Sequence, residues 1–206
     1  MPGLLITVEG IDGAGKSTAL SHIAAYFQAK KKQTLITREP GGTEVAEEIR
    51  QILLRHHQET IIAETELLLM FAGRAQHFNH VIKPALAEDK VVISGRLTDS
   101  SYAYQGGGRG IDNAYIEQLE KLVQQDIHID LTLLLDLAPE IGLRRAMQSD
   151  KLDRIESEKL QFFHQVRDAY LQRAKQYPQR FRIINSEQRI AEVNKAITRA
   201  LDEFTT

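Results

Sequence analysis

Residues 10 to 17 read Gly-Ile-Asp-Gly-Ala-Gly-Lys-Ser, and Thr18 opens a helical pattern directly after them. The run matches G-x-x-x-x-G-K-[ST], and it follows the apolar stretch Leu4–Val8. Gly10, Gly13 and Gly15, with Ile11, Asp12 and the small Ala14 between them, let backbone N–H groups turn inward around phosphate oxygens. The N-terminus of the following helix adds partial positive charge. Lys16 supplies a point charge to the β- and γ-phosphates, and the Ser17 hydroxyl suits Mg2+ held with them. A glycine-rich turn that binds nothing is the competing reading, but strand, loop and helix stand in the required order. The expectation is a Mg2+-dependent nucleoside triphosphate site.

A phosphate loop does not say what receives the phosphoryl group. No N-K-x-D-like guanine-reading segment follows any strand, which speaks against a GTPase. Three other segments favour a small acceptor. The first is Thr37-Arg38-Glu39-Pro40-Gly41-Gly42-Thr43, an arginine at a strand end beside a tight turn, where a guanidinium can grip a monophosphate bidentately. A plain turn with a solvated arginine fits that segment equally well. The second is Met70, Phe71 and Arg74, which share one helical face and so offer a flat apolar surface beside a cation. Taken alone, such a pair is more often core. The third runs from Arg96 to Gln105, with Ser101 and Tyr104 inside it, and continues into Gly106-Gly107-Gly108-Arg109-Gly110. It concentrates hydrogen-bonding groups after a strand end. The triple glycine reads as a mobile loop or, beside this polar set, as the edge of a site.

These loops need strands to hold them. Short β-rich runs recur at Leu4–Val8, Thr34–Thr37, Val91–Ser94, Leu131–Leu135 and Phe181–Ile184, with helical periodicity between them. Leu160, Phe163, Val166 and Tyr170 fall on one helical face, and the stretch from about Thr60 to Glu88 reads as a long helix that Pro84 bends late. The C-terminal segment from Glu187 to Phe204 reads as a structural helix. This alternation predicts a parallel sheet with helices on both faces, and ligands bound at the C-terminal strand ends. With 206 residues and no linker or repeat, the chain is expected to form one domain.

Composition narrows the classes further. The net charge of −2, from 26 basic and 28 acidic residues, gives no reason to expect nucleic-acid or membrane binding. No apolar run approaches the ~20 residues that span a bilayer. The chain has no cysteine, so disulfides and thiolate metal sites are excluded. No targeting pattern is visible at the N-terminus, and the default location is the cytoplasm. The seven histidines lack metal-ligand spacing; His56-His57 and His77/His80 read as surface or helix-packing residues.

The segments EGIDGAGKST, TREPGGT, ELLLMFAGRAQH, RLTDSSYAYQGGGRGID and LDRIE, in this order and spacing, resemble the bacterial thymidylate kinases. The resemblance spans nearly the whole chain, and it implies a P-loop NTPase fold with a five-stranded parallel sheet flanked by helices. It also implies a homodimer that transfers the ATP γ-phosphoryl group to dTMP with Mg2+, in dTTP synthesis. By motif, Arg38 and Arg96 would hold the dTMP phosphate, with Glu39 beside them. Phe71, or Met70 in its place, would pack on thymine. Arg74 and Gln105 would read its polar edge, Asp12 would reach the sugar or its phosphate, and Tyr104 would crowd the 2′ position. Residues 144 to 156 resemble the family's lid, although Met147 and Ser149 stand where more basic residues are expected. Arg154, and after it Arg145, would bring a cation to the migrating phosphoryl group.

One position departs from the family. The strand before Arg96 ends in Gly95, where an aspartate is usual. Asp12, Glu39 or Asp99 could substitute for it, or activity could be reduced. The alternatives to dTMP kinase are therefore a kinase for another monophosphate and a catalytically weakened nucleotide-binding homologue.

Overall fold

The five apolar runs form five strands: β1 (Leu4–Glu9), β2 (Thr34–Arg38), β3 (Val91–Gly95), β4 (Leu131–Asp136) and β5 (Phe181–Asn185). The computed structural model describes residues 3–125, 127–147 and 153–205. Every strand pair is parallel, in the order β2-β3-β1-β4-β5. Each strand runs one residue beyond its apolar run, and the added residues are Glu9, Arg38, Gly95, Asp136 and Asn185. All five end the sheet's C-terminal edge, where apolar packing gives way to polar chemistry. The central strands are buried on both faces, which is why they read as unbroken apolar runs.

Helices α1 (Lys16–Ala29), α8 (Leu160–Gln176) and α9 (Ile190–Thr205) contribute to one core cluster, around Ile6, Val8, Leu133 and Leu135. The second cluster gathers α3 (Ala63–His77), α6 (Asn113–Gln124) and Val92, with Phe71, Phe78 and Leu97. Helix α2 (Glu44–Leu54) starts at Thr43, whose hydroxyl accepts from the Ala46 N–H as an N-cap. Helix α7 (Pro139–Ala146) runs into the lid segment, of which residues 148–152, Ser149 included, lie outside the described region.

Two distortions carry physical meaning. The long helix expected to bend at Pro84 contains a π turn at Phe78–Ile82 before α4 (Lys83–Ala87). Proline cannot donate back to the His80 carbonyl, so the helix widens in the turn before it. The second lies after α5 (Thr98–Ser101), where Tyr102–Gly108 form another π turn packed on α8. A Cβ on Gly107 would sit 2.5 Å from the Ala169 Cβ, and one on Gly108 2.4 Å from the Phe162 ring. The triple glycine is thus a tight helix contact rather than a mobile loop. No helix among the described residues is long and apolar enough to cross a membrane.

Candidate functional site

Two clefts open along the C-terminal edge and meet at the phosphate loop. The loop leaves β1 and enters α1 through Gly15, whose φ of +89° favours a residue without Cβ. Gly13 matters for space: a Cβ there would lie 2.1 Å from the Gly142 carbonyl oxygen, so α7 can rest directly on the loop. The Lys16 ammonium spans the loop, donating to the carbonyls of Gly10 (3.1 Å) and Ile11 (2.8 Å). Burial and the charge of Arg96 lower its pKa to about 8, against the opposing pull of Asp12. Ser17 and Thr18 are exposed at the start of α1.

The first cleft is lined by Gly13, Ala14, Gly15, Thr18, Arg145, Ser186, residues 188 to 190, Val193 and Asn194. Arg145 reaches across it, donating to the Ser186 carbonyl at 2.9 Å and lying 3.5 Å from the Gly13 carbonyl.

The second cleft holds about 460 Å³ of empty volume between Asp12, Glu39, Arg50, Met70, Arg96, Ser100, Tyr104, Gln105, Asp153 and Ile155. Arg96 is its electrostatic centre. Its guanidinium donates to Asp12 Oδ1 at 2.6 Å and lies over the Tyr104 ring, 4.8 Å from the ring centre. Burial opposes the charge on Asp12, but Arg96 and Lys16 outweigh it and hold the carboxyl well below its usual range. Tyr104 donates to the other Asp12 oxygen at 3.2 Å. At the far end, Gln105 Nε2 donates to Glu66 at 2.9 Å, while Gln105 Oε1 is buried without a hydrogen-bond partner. Glu66 also accepts from Arg109 and Arg154. Burial raises its pKa, but these donors and Gln105 overcome that and keep it low, so it stays an acceptor only. That fixes the Gln105 amide, because a flip would place one acceptor against another.

The family model of thymidylate kinase matches residues 8–197. A thymidylate kinase of Pseudomonas syringae pv. tomato is 51% identical over 204 residues, covering 99% of this chain and 97% of that protein. One from Hahella chejuensis is 49% identical over 199 residues, covering 97% and 96%. The crystal structure of thymidylate kinase from Ehrlichia chaffeensis superposes with a TM-score of 0.79 at 32% identity, covering 98% and 99%. The chain belongs to the thymidylate kinase family.

Several of the family-derived residues sit differently from expectation. Met70 lines the second cleft, whereas Phe71 is in the core under Arg74, whose guanidinium lies 4.5 Å from its ring centre. Arg74 itself is buried behind the cleft wall, donating to Glu39 (2.7 Å), Ser101 (3.0 Å) and the Leu97 carbonyl (3.2 Å). Ser100, not Ser101, faces the cleft. Arg38 is exposed and paired with Glu47 at 2.9 Å, outside the cleft lining. Arg154 is engaged by the Leu53 carbonyl (2.8 Å) and Glu66 (2.6 Å), so Arg145 is the lid arginine found at the phosphate loop. A buried carboxylate captured Arg154, and a sequence motif does not show such pairing.

Other residues were missed. Arg50 lines the cleft where Arg38 was expected, held by the Pro40 carbonyl at 3.0 Å. Its helical face, shared with buried Ala46 and Leu53, was a readable signal. His77, expected at a surface or in plain helix packing, is fully buried and bonded to Glu39 (3.0 Å) and Thr37 (2.6 Å). Glu9 is the most consequential omission. Its fully buried carboxyl stands at the end of β1, one residue past the Val8 that pairs with Gly95, and burial and the charge of Asp99 push its pKa up to about 7. Of the three carboxylates considered for the Gly95 role, Asp99 is bound by Arg173 and Arg180, and Glu39 by Arg74. Asp12 is held by Arg96 and Lys16.

Proposed function

We propose that the chain transfers the γ-phosphoryl group of ATP to dTMP, giving dTDP for dTTP synthesis. Membership of the thymidylate kinase family supports the reaction class, and Gln105 Oε1 carries the choice of acceptor base. A buried, unpartnered acceptor costs about 1–3 kcal/mol until a ligand supplies a donor. The imide N3–H of thymine or uracil supplies one; the N3 of cytosine is itself an acceptor and would face Gln105 with two lone pairs opposed. Met70, Leu54 and Ile155 provide apolar surface for the base, and the cationic end with Arg96 and Arg50 suits its monophosphate.

In this reading the first cleft takes ATP, with its phosphates on the loop amides and Lys16. Arg145 approaches from the lid, where a cation offsets charge on the migrating phosphoryl group. Tyr104 and Asp12 face the acceptor sugar, and Arg96 bridges Asp12 to the acceptor phosphate. The start of α1 fits Mg2+: the exposed Ser17 hydroxyl, with Thr18 beside it, would hold the ion while the nucleotide phosphates supplied its other oxygens. Bound there, Mg2+ neutralises charge on the β- and γ-phosphates.

The resemblance also implies a cytoplasmic homodimer. The adjoining outer faces of α3 and α6 support the dimer, since Leu68, Tyr115 and Leu122 are 58%, 62% and 71% exposed there. Sedimentation equilibrium should then give twice the chain mass.

A coupled ADP assay on pure protein, with dTMP, dUMP, AMP and GMP as acceptors, tests the function. The Lys16→Ala protein controls for contaminating kinases. dTMP should be the best acceptor, with dUMP weaker by about 1–3 kcal/mol in kcat/KM for the lost methyl contact. AMP or GMP as the best acceptor would overturn the assignment.

A further inference from the structure

The backbone of Arg96 is unusual for a non-glycine residue, with φ of +68°. That conformation costs on the order of 1–2 kcal/mol and persists only where the surroundings over-determine it. Three bonds hold it here. The Arg96 N–H donates to the Val8 carbonyl at 3.0 Å, Ser94 Oγ donates to the Arg96 carbonyl at 2.8 Å, and the next amide, Leu97 N–H, donates to Glu9 Oε1 at 2.7 Å. The third is the only one made by a side-chain carboxyl.

The other Glu9 oxygen works on the far end of the same residue. Glu9 Oε2 accepts from the Tyr170 hydroxyl at 2.8 Å and from Ser100 Oγ at 2.6 Å. Tyr170 in turn accepts from Arg96 Nη1 at 3.4 Å, while Arg96 Nη2 is on Asp12. One carboxylate therefore grips Arg96 twice, through the peptide that follows it and through the phenol that touches its guanidinium. A residue needed only to fill the core would not place a carboxyl here, since burying a polar group is costly unless hydrogen bonds satisfy it, and both Glu9 oxygens are used.

We infer that Glu9 is a positioning residue, holding the strained Arg96 so that its guanidinium faces the acceptor phosphate. This rests on the reading of the second cleft as the dTMP site. With Gly95 offering no side chain, Glu9 is the carboxylate at this strand edge that orders the arginine. It acts through Arg96 and touches neither substrate.

A double-mutant cycle between Glu9→Gln and Arg96→Ala tests this, with kcat, KM for dTMP and KM for ATP measured for all four proteins. Glu9→Gln keeps an oxygen for Leu97 N–H but turns an amide toward Tyr170 and Ser100. It should raise KM for dTMP by about tenfold and leave KM for ATP within about twofold. In the Arg96→Ala background the same substitution should change KM for dTMP by less than about twofold, because nothing is left to position. An equal effect in both backgrounds, or parallel losses for ATP and dTMP, would make Glu9 a structural residue and overturn the inference. Tyr170→Phe, which cuts only the phenol arm, runs through the same cycle if Glu9→Gln does not fold. A wild-type protein that turns over another monophosphate instead would defeat the dTMP reading alone, and the cycle is then read with that acceptor.

Discussion

The phosphate loop and the acceptor cleft lie side by side but are built in opposite ways. The loop is eight consecutive residues, with the glycines and Lys16 each set by local geometry, and in the proposed reading its backbone amides do most of the binding. The acceptor cleft is assembled from the loops after β1 and β2, helices α2, α3 and α5, Arg96, the π turn after α5 and the segment with Asp153 and Ile155, and it is held by ion pairs that span up to 88 residues of sequence. A contiguous site depends on few residues, each indispensable. A dispersed one spreads its geometry over supports such as Glu9, His77 and Glu66 that stand behind the cleft lining.

The largest effect is expected in the loop. Lys16→Ala should lower kcat by at least about 10²-fold, since it removes a fixed charge from the transferring phosphates, while the thermal midpoint stays near that of the wild type. Near-normal turnover in steady-state assays would remove the loop from the catalytic site. In the cleft, Gln105→Ala should raise KM for dTMP by about tenfold or more, in line with losing one hydrogen bond to a buried acceptor, and leave KM for ATP within about twofold. Equal losses for the two substrates would mean that the clefts are not separable.

A supporting residue should show itself through pH. The Glu9 carboxyl is raised from 4.5 to about 7, by burial first and then by Asp99, with Ser100, Arg96 and Tyr170 pulling the other way. Its folded-state pKa lies above its unfolded value, so its contribution to stability is fully present below about 4.5 and declines as pH rises through about 7. Glu9→Gln lacks this decline. Its melting temperature relative to the wild type should therefore climb between about pH 5 and about pH 8, as followed by calorimetry. A difference that stays flat would mean the carboxyl titrates normally.

The smallest effect is expected at Gly95. A Cβ there would meet Leu20 Cδ1 at 3.0 Å, a flexible end that can give way, and would lie 3.7 Å from the Arg38 Cβ. A new aspartate would thus sit toward Arg38, at a strand edge where Glu9 already orders Arg96. Gly95→Asp should keep kcat within about threefold, under about 1 kcal/mol. A tenfold gain would show that the usual aspartate has no replacement in this chain.

The same contrast explains what the sequence could reveal. The strands were legible because burial on both faces writes continuous apolar runs, and the loop was legible because its chemistry is local. Arg96, Tyr104 and Gln105 follow one strand end, so their shared cleft was readable too. Whether a polar residue faces the cleft or stands behind it was not readable. Arg74, Ser101 and Phe71 stand behind the wall while Met70, Ser100 and Arg50 face the cleft; the buried Glu39 carboxylate holds Arg74 back, whereas the Pro40 carbonyl holds Arg50 at the lining. Arg154 is held by Glu66, 88 positions away in the chain, a pairing that no local motif displays. Nothing in the sequence singles out Glu9, which directly adjoins a glycine motif that explains its neighbours without it.

The most direct test of the dTMP reading is the ratio of kcat/KM for dTMP to that for dCMP in the wild-type protein. The two nucleotides share sugar and phosphate, so the loop and Arg96 treat them alike. They differ at the 5-methyl group, the 4-position and the N3 that meets Gln105 Oε1, which Glu66 prevents from turning. A site that pairs a substrate N–H typically rejects an analogue lacking it by about 10⁴-fold, and the ratio here should exceed about 10³. A ratio near one, or a preference for dCMP, would contradict the account.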